Sequence, residues 1–239
     1  MKIFHPRNDD KDAPVLLHAP SSPSAPGSWL DPGQLATVIP QGALPAVLNG
    51  IAFQPWGDAP RDDAGWAALA GQGAAFDEPP FAPAPGRHAA AGVVIEEADG
   101  RIWVVHPSNG FGGYPATFPK GTVDPGVPLR AAAIREAWEE SGLRVALTGF
   151  LMDLNRSRSR TRYYLGRRTG GCPSDMGWES QAVSLVPRAL LHTVLVNPND
   201  APLVAWLQSA SPAAPLRRTP GACPAERTDC GPTQAGARQ

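Results

Sequence analysis

Three glutamates occur within five residues in the segment REAWEESGL, residues 135–143. Glu136 precedes Glu139 by three residues and Glu140 by four, so in a helix the three side chains lie on one face. Like charges at these spacings destabilise a helix by about 0.2–0.5 kcal/mol per pair. A divalent cation would turn this repulsion into attraction, and crowded carboxylate oxygens suit Mg2+ and Mn2+. The spacing therefore predicts a metal site that a phosphorylated ligand completes.

The apolar residues of the same helix indicate which way the carboxylates face. At about 100° per residue, the three glutamates fall on the same side as Leu129 and Ala133. A solvated acidic stripe would instead lie opposite the apolar residues. The pattern favours a functional cluster, and an ordinary glutamate-rich surface helix is the alternative.

Turn and strand signals identify the elements that would position this helix. Pro128 in the first turn and Gly142 just after Ser141 bound a helix over residues 128–141. Segments rich in Val and Ile on both sides of it predict two β-hairpins and one further strand. A last helix has Asp200 as its expected cap. The predicted strands are AAAGVVIEE, RIWVVH, VALTGFLMDLN, TRYYLGRR and SQAVSLVP, and the last helix is NDAPLVAWLQSA.

The spacing from Gly121 to Leu143, G-x5-V-x7-REAWEESGL, resembles the Nudix box. The resemblance covers roughly residues 88–210 and implies an α/β fold, an α/β/α sandwich with a mixed sheet. It departs from the box at one position, where Val127 replaces the first glutamate. In the family that glutamate mainly supports the box arginine and neighbouring groups, so the departure implies a lower activity or an altered geometry without loss of the metal. Asp124, three residues earlier, is a possible substitute.

The resemblance also implies an activity and roles for individual residues. The activity is hydrolysis of a diphosphate linkage in a nucleoside diphosphate joined to another group, with Mg2+ or Mn2+ as cofactor. Glu136, Glu139 and Glu140 would hold the metal, and Arg135 would orient carboxylates by bidentate pairing. The general base would be Glu139 or the outlying Glu179. The alternative is a non-catalytic Nudix-fold module that binds a nucleotide and reports it to a partner.

Candidate substrate-binding residues lie near the box and in an arginine-rich segment. Lys120, in TFPKG, resembles the FPKG lead-in of Nudix enzymes that act on diadenosine polyphosphates and diphosphoinositol polyphosphates, and Gly121 is expected to line the same site. Phe118, together with Phe111 and Tyr114, is a candidate for stacking a base. Arg162 is a candidate phosphate ligand, because guanidinium groups match phosphate oxygens. An extended RSRSRTR segment would place it on one side with Arg156, Arg158 and Arg160. A solvated arginine loop is the alternative.

Composition sets the expected organisation of the chain. A disordered N-terminus is expected over residues 1–27, an accessory segment with a Pro-rich linker over 28–87, the Nudix domain over 88–210 and a disordered tail over 211–239. The formal net charge of -1 and the lack of a recognisable RNA module disfavour nucleic acid, so the expected partner is a phosphorylated small molecule. Three scattered cysteines without a C-x-x-C pair, and no apolar run long enough to span a bilayer, favour a cytoplasmic location away from membranes.

Overall fold

The computed structural model of the chain describes residues 2–83 and 85–210. Its strands are β1 (Ala36–Val38), β2 (Val47–Leu48), β3 (Ile51–Ala52), β4 (His88–Glu96), β5 (Ile102–Pro107), β6 (Lys120–Thr122), β7 (Leu143–Asn155), β8 (Ser159–Gly171) and β9 (Ser180–Val186). Its α-helices are α1 (Pro26–Leu30), α2 (Asp63–Gly71), α3 (Leu129–Ser141), α4 (Leu191–Val194) and α5 (Ala201–Ser209). The predicted disordered tail, residues 211–239, lies outside the described residues.

A mixed sheet forms the middle layer of the fold. Its strands lie in the order β1-β9-β5-β4-β8-β7, and β6 pairs with β4. The β4–β8 pair is parallel, whereas the other pairs in this sheet are antiparallel. Helix α3 packs across β4, β6 and β7, and its outer side contacts α2. The predicted mixed-sheet sandwich is confirmed.

Strand β4 shows why the sheet is covered on both faces. Val93 and Ile95 belong to the apolar cluster that contains the alanines of α3, whereas Val94 belongs to the cluster that contains Leu203 and Leu207 of α5. A strand buried on both faces reads as a continuous apolar run, because both sets of alternating side chains need apolar partners. The apolar run of β4 therefore fixes it as a central strand.

The box helix begins and ends at the expected residues. Pro128 occupies its N-cap position, and Gly142 ends it in the left-handed conformation with φ 68°. A residue with a Cβ is strained there, which is why glycine commonly ends helices. The last predicted helix is also present as α5, and it begins after Asp200 as expected. Asp200 occupies the N-cap position without a side-chain capping bond, and its carboxylate instead pairs with Arg156.

The N-terminal residues pack on the domain, in contrast to the disorder expected for residues 1–27. Residues 3–17 form an arm closed by backbone hydrogen bonds, including His5 N–H to Val15 O at 2.8 Å. Val15 is only 2% exposed, and the backbone N–H of His18 donates to Gln181 Oε1 at 2.6 Å. Disorder was expected from the average composition of the segment. The average does not show that a few apolar residues, such as Val15, pack against the domain.

The accessory segment, expected over residues 28–87, is likewise joined to the domain. Strand β1 pairs with β9 at the sheet edge, and Glu78 accepts hydrogen bonds from Arg130, Arg162 and Tyr164 at 2.6–2.9 Å. The proposed boundary at residue 88 thus divides one sheet. Within the described residues, no helix is both long and apolar enough to cross a membrane. The cytoplasmic location stays a prediction.

Candidate active site

The packing of α3 on the sheet brings the carboxylate of Glu136 into a buried position against β6. Its carboxylate lies where a Cβ on Gly121 would stand, so any side chain at residue 121 would collide with it. The glycine was predicted to line the substrate site, and it does line the cleft described below. The structure adds a physical reason for the residue type, because only glycine leaves room for the Glu136 carboxylate.

Three carboxylates meet at the end of α3. Glu136, Glu140 and Glu179 each offer one oxygen, and these oxygens lie within 4.8 Å of one another. Glu140 Oε2 also accepts the backbone N–H of Lys120 at 2.8 Å. Oxygen ligands at such spacing fit a hard divalent cation, which binds carboxylates together with water and substrate oxygens. The residues present therefore suit the metal that the sequence implies.

Glu179 reaches this cluster because the loop before β9 is fixed on both sides. The backbone N–H of Ser108 donates to Glu179 O at 2.7 Å, and Ser108 Oγ donates to Trp178 O at 2.6 Å. The N–H of Gly177 donates to Glu139 O at 2.7 Å, which ties the loop to the last turn of α3. These bonds hold the exposed Glu179 side chain beside the less exposed side chains of Glu136 and Glu140.

The electrostatics of the cluster oppose ionisation. Burial is the largest cause that raises the pKa of Glu136 to about 8, and the charges of Glu140 and Glu139 contribute to the same rise. Burial also raises the pKa of Glu140, to about 7, against the favourable effect of Lys120. The pKa values of Glu139 and Glu179 are raised as well, chiefly by burial. A divalent cation would stabilise the ionised carboxylates further, because Lys120 and Arg135 offset their raised pKa values only in part.

Arg135 lies on the outer side of the cluster between four carboxylates. Its guanidinium is 3.2 Å from Asp63, 3.2 Å from Asp124, 3.7 Å from Glu136 and 3.8 Å from Glu139. Asp124 was the possible substitute for the missing box glutamate, and it does contact the arginine. Val127, at the position of that glutamate, instead packs against the apolar core.

Glu139 differs in position from the other acids of the predicted metal set. Its side chain is 46% exposed and faces Arg135, and among the described residues it is not part of the carboxylate group within 4.8 Å. Glu179, predicted as a candidate base, takes the third place in that group. The metal and base roles of the four glutamates stay predictions, and the geometry favours Glu136, Glu140 and Glu179 as the ligand set.

The carboxylates form one wall of a cleft of about 810 Å3. Lys120 and Arg158 contribute positive charge to the lining, and Lys120 Nζ lies 5.3 Å from the ring centroid of Tyr114. Ligand sites commonly have volumes of roughly 300–1,000 Å3. An acidic wall for a cation and basic groups for anions fit a ligand that carries phosphates.

Comparison with known proteins decides the family. The model of the NUDIX domain matches residues 86–207, which is 122 of the 239 residues and so just over half of the chain. The chain belongs to the Nudix family. The expected hydrolase class, a Nudix pyrophosphatase, is confirmed with it. No curated protein matches this Nudix chain.

Solved structures similar to this Nudix chain include three from different sources. A MutT protein from Methanosarcina mazei Go1 is 14% identical, with 51% of this chain and 92% of that chain covered and a TM-score of 0.42. A C. elegans Ap4A hydrolase binary complex is 20% identical, with 49% and 93% covered and a TM-score of 0.41. An ADP-ribose pyrophosphatase from Streptococcus suis is 21% identical, with 43% and 75% covered and a TM-score of 0.37. TM-scores below 0.5 support no choice of substrate for this Nudix chain.

Two predicted substrate-binding residues lie away from the cleft of this Nudix domain. Phe118 is 0% exposed and packs edge-on against Tyr163, so it cannot stack a base. Arg162 is 2% exposed, and Asp153 and Glu78 accept its hydrogen bonds at 2.8–2.9 Å. The structure corrects both predictions: residue type alone does not show that the fold buries Phe118, and strand alternation does not show which face of β8 buries Arg162. Nothing is described of the Phe111 side chain.

Two residues near the site carry no signal in the sequence. Asp63 contacts Arg135 across 72 positions of sequence, and Asp10 Oδ1 accepts a hydrogen bond from Trp178 Nε1 at 3.2 Å across 168 positions. Asp10 belongs to the segment expected to be disordered, and Asp63 belongs to the accessory segment, to which the sequence assigns no function. Contacts of this range become visible only when the fold is known.

The raised pKa values predict how the stability of the metal-free protein depends on pH. An acid whose pKa is higher in the folded state stabilises the fold below its unfolded value near 4.5 and loses that contribution as the pH rises through the folded value. We therefore expect the difference in unfolding free energy, native protein minus Glu136→Gln/Glu140→Gln, to fall between about pH 5 and 8, measured by urea denaturation in EDTA.

The difference between the two proteins isolates the glutamates from other titrating groups. His106 is one such group, since burial lowers its pKa to about 4 and it contributes with the opposite sign below pH 6.5. Excess Mn2+ should flatten or reverse the fall. A difference that is constant with pH in EDTA would contradict the prediction.

Proposed function

We propose that this chain is a metal-dependent pyrophosphohydrolase that cleaves a diphosphate linkage in a nucleoside diphosphate joined to a second group, and that its substrate is a polyphosphate such as a dinucleoside polyphosphate. The observation that carries the proposal is the meeting of Glu136, Glu140 and Glu179 in one cleft with Lys120 and Arg158. Carboxylates alone would repel a phosphate, whereas carboxylates with a cation and flanking basic groups attract it.

Glu136, Glu140 and Glu179 would hold Mg2+ or Mn2+. When bound, such an ion neutralises phosphate charge and lowers the pKa of a coordinated water. The remaining steps belong to the chain itself. Lys120, whose backbone N–H is bonded to Glu140, carries its ammonium on the cleft wall and can bind a phosphate oxygen. Attraction between the Lys120 ammonium and the substrate phosphates would orient the diphosphate beside the carboxylates.

Two carboxylates are candidates for the general base, Glu139 and Glu179. Glu179 is exposed, lines the cleft and has a raised pKa, which brings its basicity closer to that needed at neutral pH. Glu139 faces Arg135, and the positive charge of Arg135 opposes the rise of its pKa. Glu179 would accept the proton of the attacking water with the carboxylate oxygen that does not bind the cation, and Glu139, which lies outside the favoured ligand set, is the alternative base.

The substrate class follows from the cations of the cleft. Of the four arginines in the RSRSRTR segment, Arg156 bonds to Tyr114, Tyr163 and Asp200, and Arg160 and Arg162 bond to Asp153. Within residues 85–210, no side-chain hydrogen bond or ion pair engages Arg158, which lines the cleft. The Arg158 backbone is fixed, because its carbonyl accepts the His88 N–H at 3.0 Å. A cation held at the rim suits a substrate with more phosphate than the scissile diphosphate.

Hydrolysis of a diphosphate should depend on both the cation and the cluster. We expect purified protein with Mg2+ or Mn2+ to release phosphate products from at least one of diadenosine polyphosphates, ADP-ribose, NADH, nucleoside triphosphates or diphosphoinositol phosphates, and EDTA to abolish the reaction. Glu140→Gln should lower kcat by about 100-fold or more, because even outer-shell changes at metal sites cost about 10–100-fold. Glu96→Gln, the same change at a glutamate paired with Arg188, is the control and should keep kcat. Binding of the same compounds without turnover would favour the nucleotide-sensor alternative.

Arg158 should set selectivity among the substrates that are cleaved. We expect Arg158→Ala to raise KM for a diadenosine polyphosphate about tenfold, the cost of one charge-assisted hydrogen bond in a partly solvated site, and to leave KM for ADP-ribose within about twofold. Arg167→Ala removes an exposed arginine from the same strand pair and should change neither value. An equal rise for both substrates would show that Arg158 does not recognise the additional phosphates.

A further inference from the structure

The segment that precedes the Nudix match touches the active site at two points. From α2, Asp63 Oδ1 accepts a hydrogen bond from Arg135 Nη1 at 3.2 Å, on the box helix. From the N-terminal arm, Asp10 accepts one from Trp178, the residue before Glu179. We propose that this segment completes the site, and that Asp63 positions the box acids through Arg135.

Arg135 needs partners that hold it in place, because the box position that would supply one is apolar. Val127 packs on the core with Val123 and Leu129 as neighbours in the same cluster. Asp63 and Asp124 contact the two terminal nitrogens of the guanidinium, each at 3.2 Å, while Glu136 and Glu139 lie farther away, at 3.7 and 3.8 Å. The two aspartates thus bind the terminal nitrogens at short range, while Nη2 and Nε lie at longer range from Glu136 and Glu139.

Helix α2 carries Asp63 on a rigid support. Trp66 of α2 is 3% exposed and packs against Trp138 of the box helix, with ring centroids 5.6 Å apart. Trp56 packs edge-on against both rings, at 5.7 and 6.2 Å. Asp62 caps the helix by accepting the Gly65 N–H at 2.8 Å. The first turn of α2 is therefore fixed relative to the box helix, and Asp63 is fixed with it.

The exposure of Asp63 decides what kind of effect it has. Its side chain is 60% exposed, and exposed ion pairs contribute little to stability. Its influence is therefore on where Arg135 points. Without Asp63, Asp124 remains as the close partner of the guanidinium, which can then turn further toward Glu136 and Glu139 and compete with a cation for their oxygens, and this weakens both cation binding and turnover.

The test compares two neighbouring aspartates that differ in one contact. Asp63→Asn weakens the bond to Arg135, whereas Asp62→Asn removes the same charge from the same turn and keeps a capping side chain. We expect Asp63→Asn to lower kcat on the best diphosphate substrate about tenfold with KM within twofold, and to weaken Mn2+ binding by calorimetry about threefold or more. Asp62→Asn should leave both values within twofold, and Asp63→Glu should recover most of the loss.

A double-mutant comparison tests the route through Arg135. Asp63→Asn should have no further effect on kcat or on Mn2+ affinity in an Arg135→Ala background. An equal loss in both backgrounds, or equal effects of Asp62→Asn and Asp63→Asn, would overturn the inference. The turnover readout rests on the proposed function, but the Mn2+ readout does not. If the native protein is inactive but its Mn2+ affinity still depends on Asp63, the result would contradict the proposed function and support the inference about Asp63.

Discussion

The structure depends on keeping mutually repelling carboxylates together at the end of one helix. Burial, together with repulsion from the neighbouring glutamates, raises the pKa of Glu136 to about 8 and of Glu140 to about 7, so the fold holds these acids where water stabilises their charges poorly. Apolar packing of α3 on the sheet opposes this cost, since its alanines are fully buried in the main core. Under the proposed function, a divalent cation bound together with a phosphate compound would supply the compensating charge. The glutamates therefore repel one another in the metal-free protein because their arrangement suits the metal-bound protein.

Arginine–carboxylate pairs position the elements around this site. Arg156 links the β7–β8 turn to Asp200 at the start of α5, and Arg162 links β8 to Asp153 and to Glu78 of the N-terminal segment. Buried pairs such as these contribute little net stability against apolar packing, but removing one partner leaves an uncompensated charge. They make the arrangement of the strands around the cleft specific. Of the four arginines in the RSRSRTR segment, Arg156, Arg160 and Arg162 are thus held by carboxylates, whereas Arg158 lines the cleft without a side-chain partner within residues 85–210.

Local signals predicted the box helix and the strands that surround it. Pro128 and Gly142 act on their own neighbours, so the helix ends could be read directly, and the spacing of Glu136 and Glu140 fixed a shared face. Long-range contacts could not be read. Nothing local distinguishes Arg158 from Arg162, although one lines the cleft and the other is buried against Asp153. The N-terminal arm was expected to be disordered because the mean composition of residues 1–27 is poor in apolar residues. Its packing on the domain depends instead on a few residues such as Val15.

Diffraction from crystals soaked in Mn2+, with anomalous scattering used to locate the ion, tests the central claim most directly. The account predicts a Mn2+ ion that is coordinated by carboxylate oxygens of Glu136, Glu140 and Glu179 and that faces the cleft containing Lys120. Glu139, which lies toward Arg135, should remain outside the coordination shell in the absence of substrate. The account would be contradicted if the crystals took up no Mn2+ at saturating concentration. It would also be contradicted if the ion bound elsewhere and the carboxylates of the three glutamates did not coordinate it.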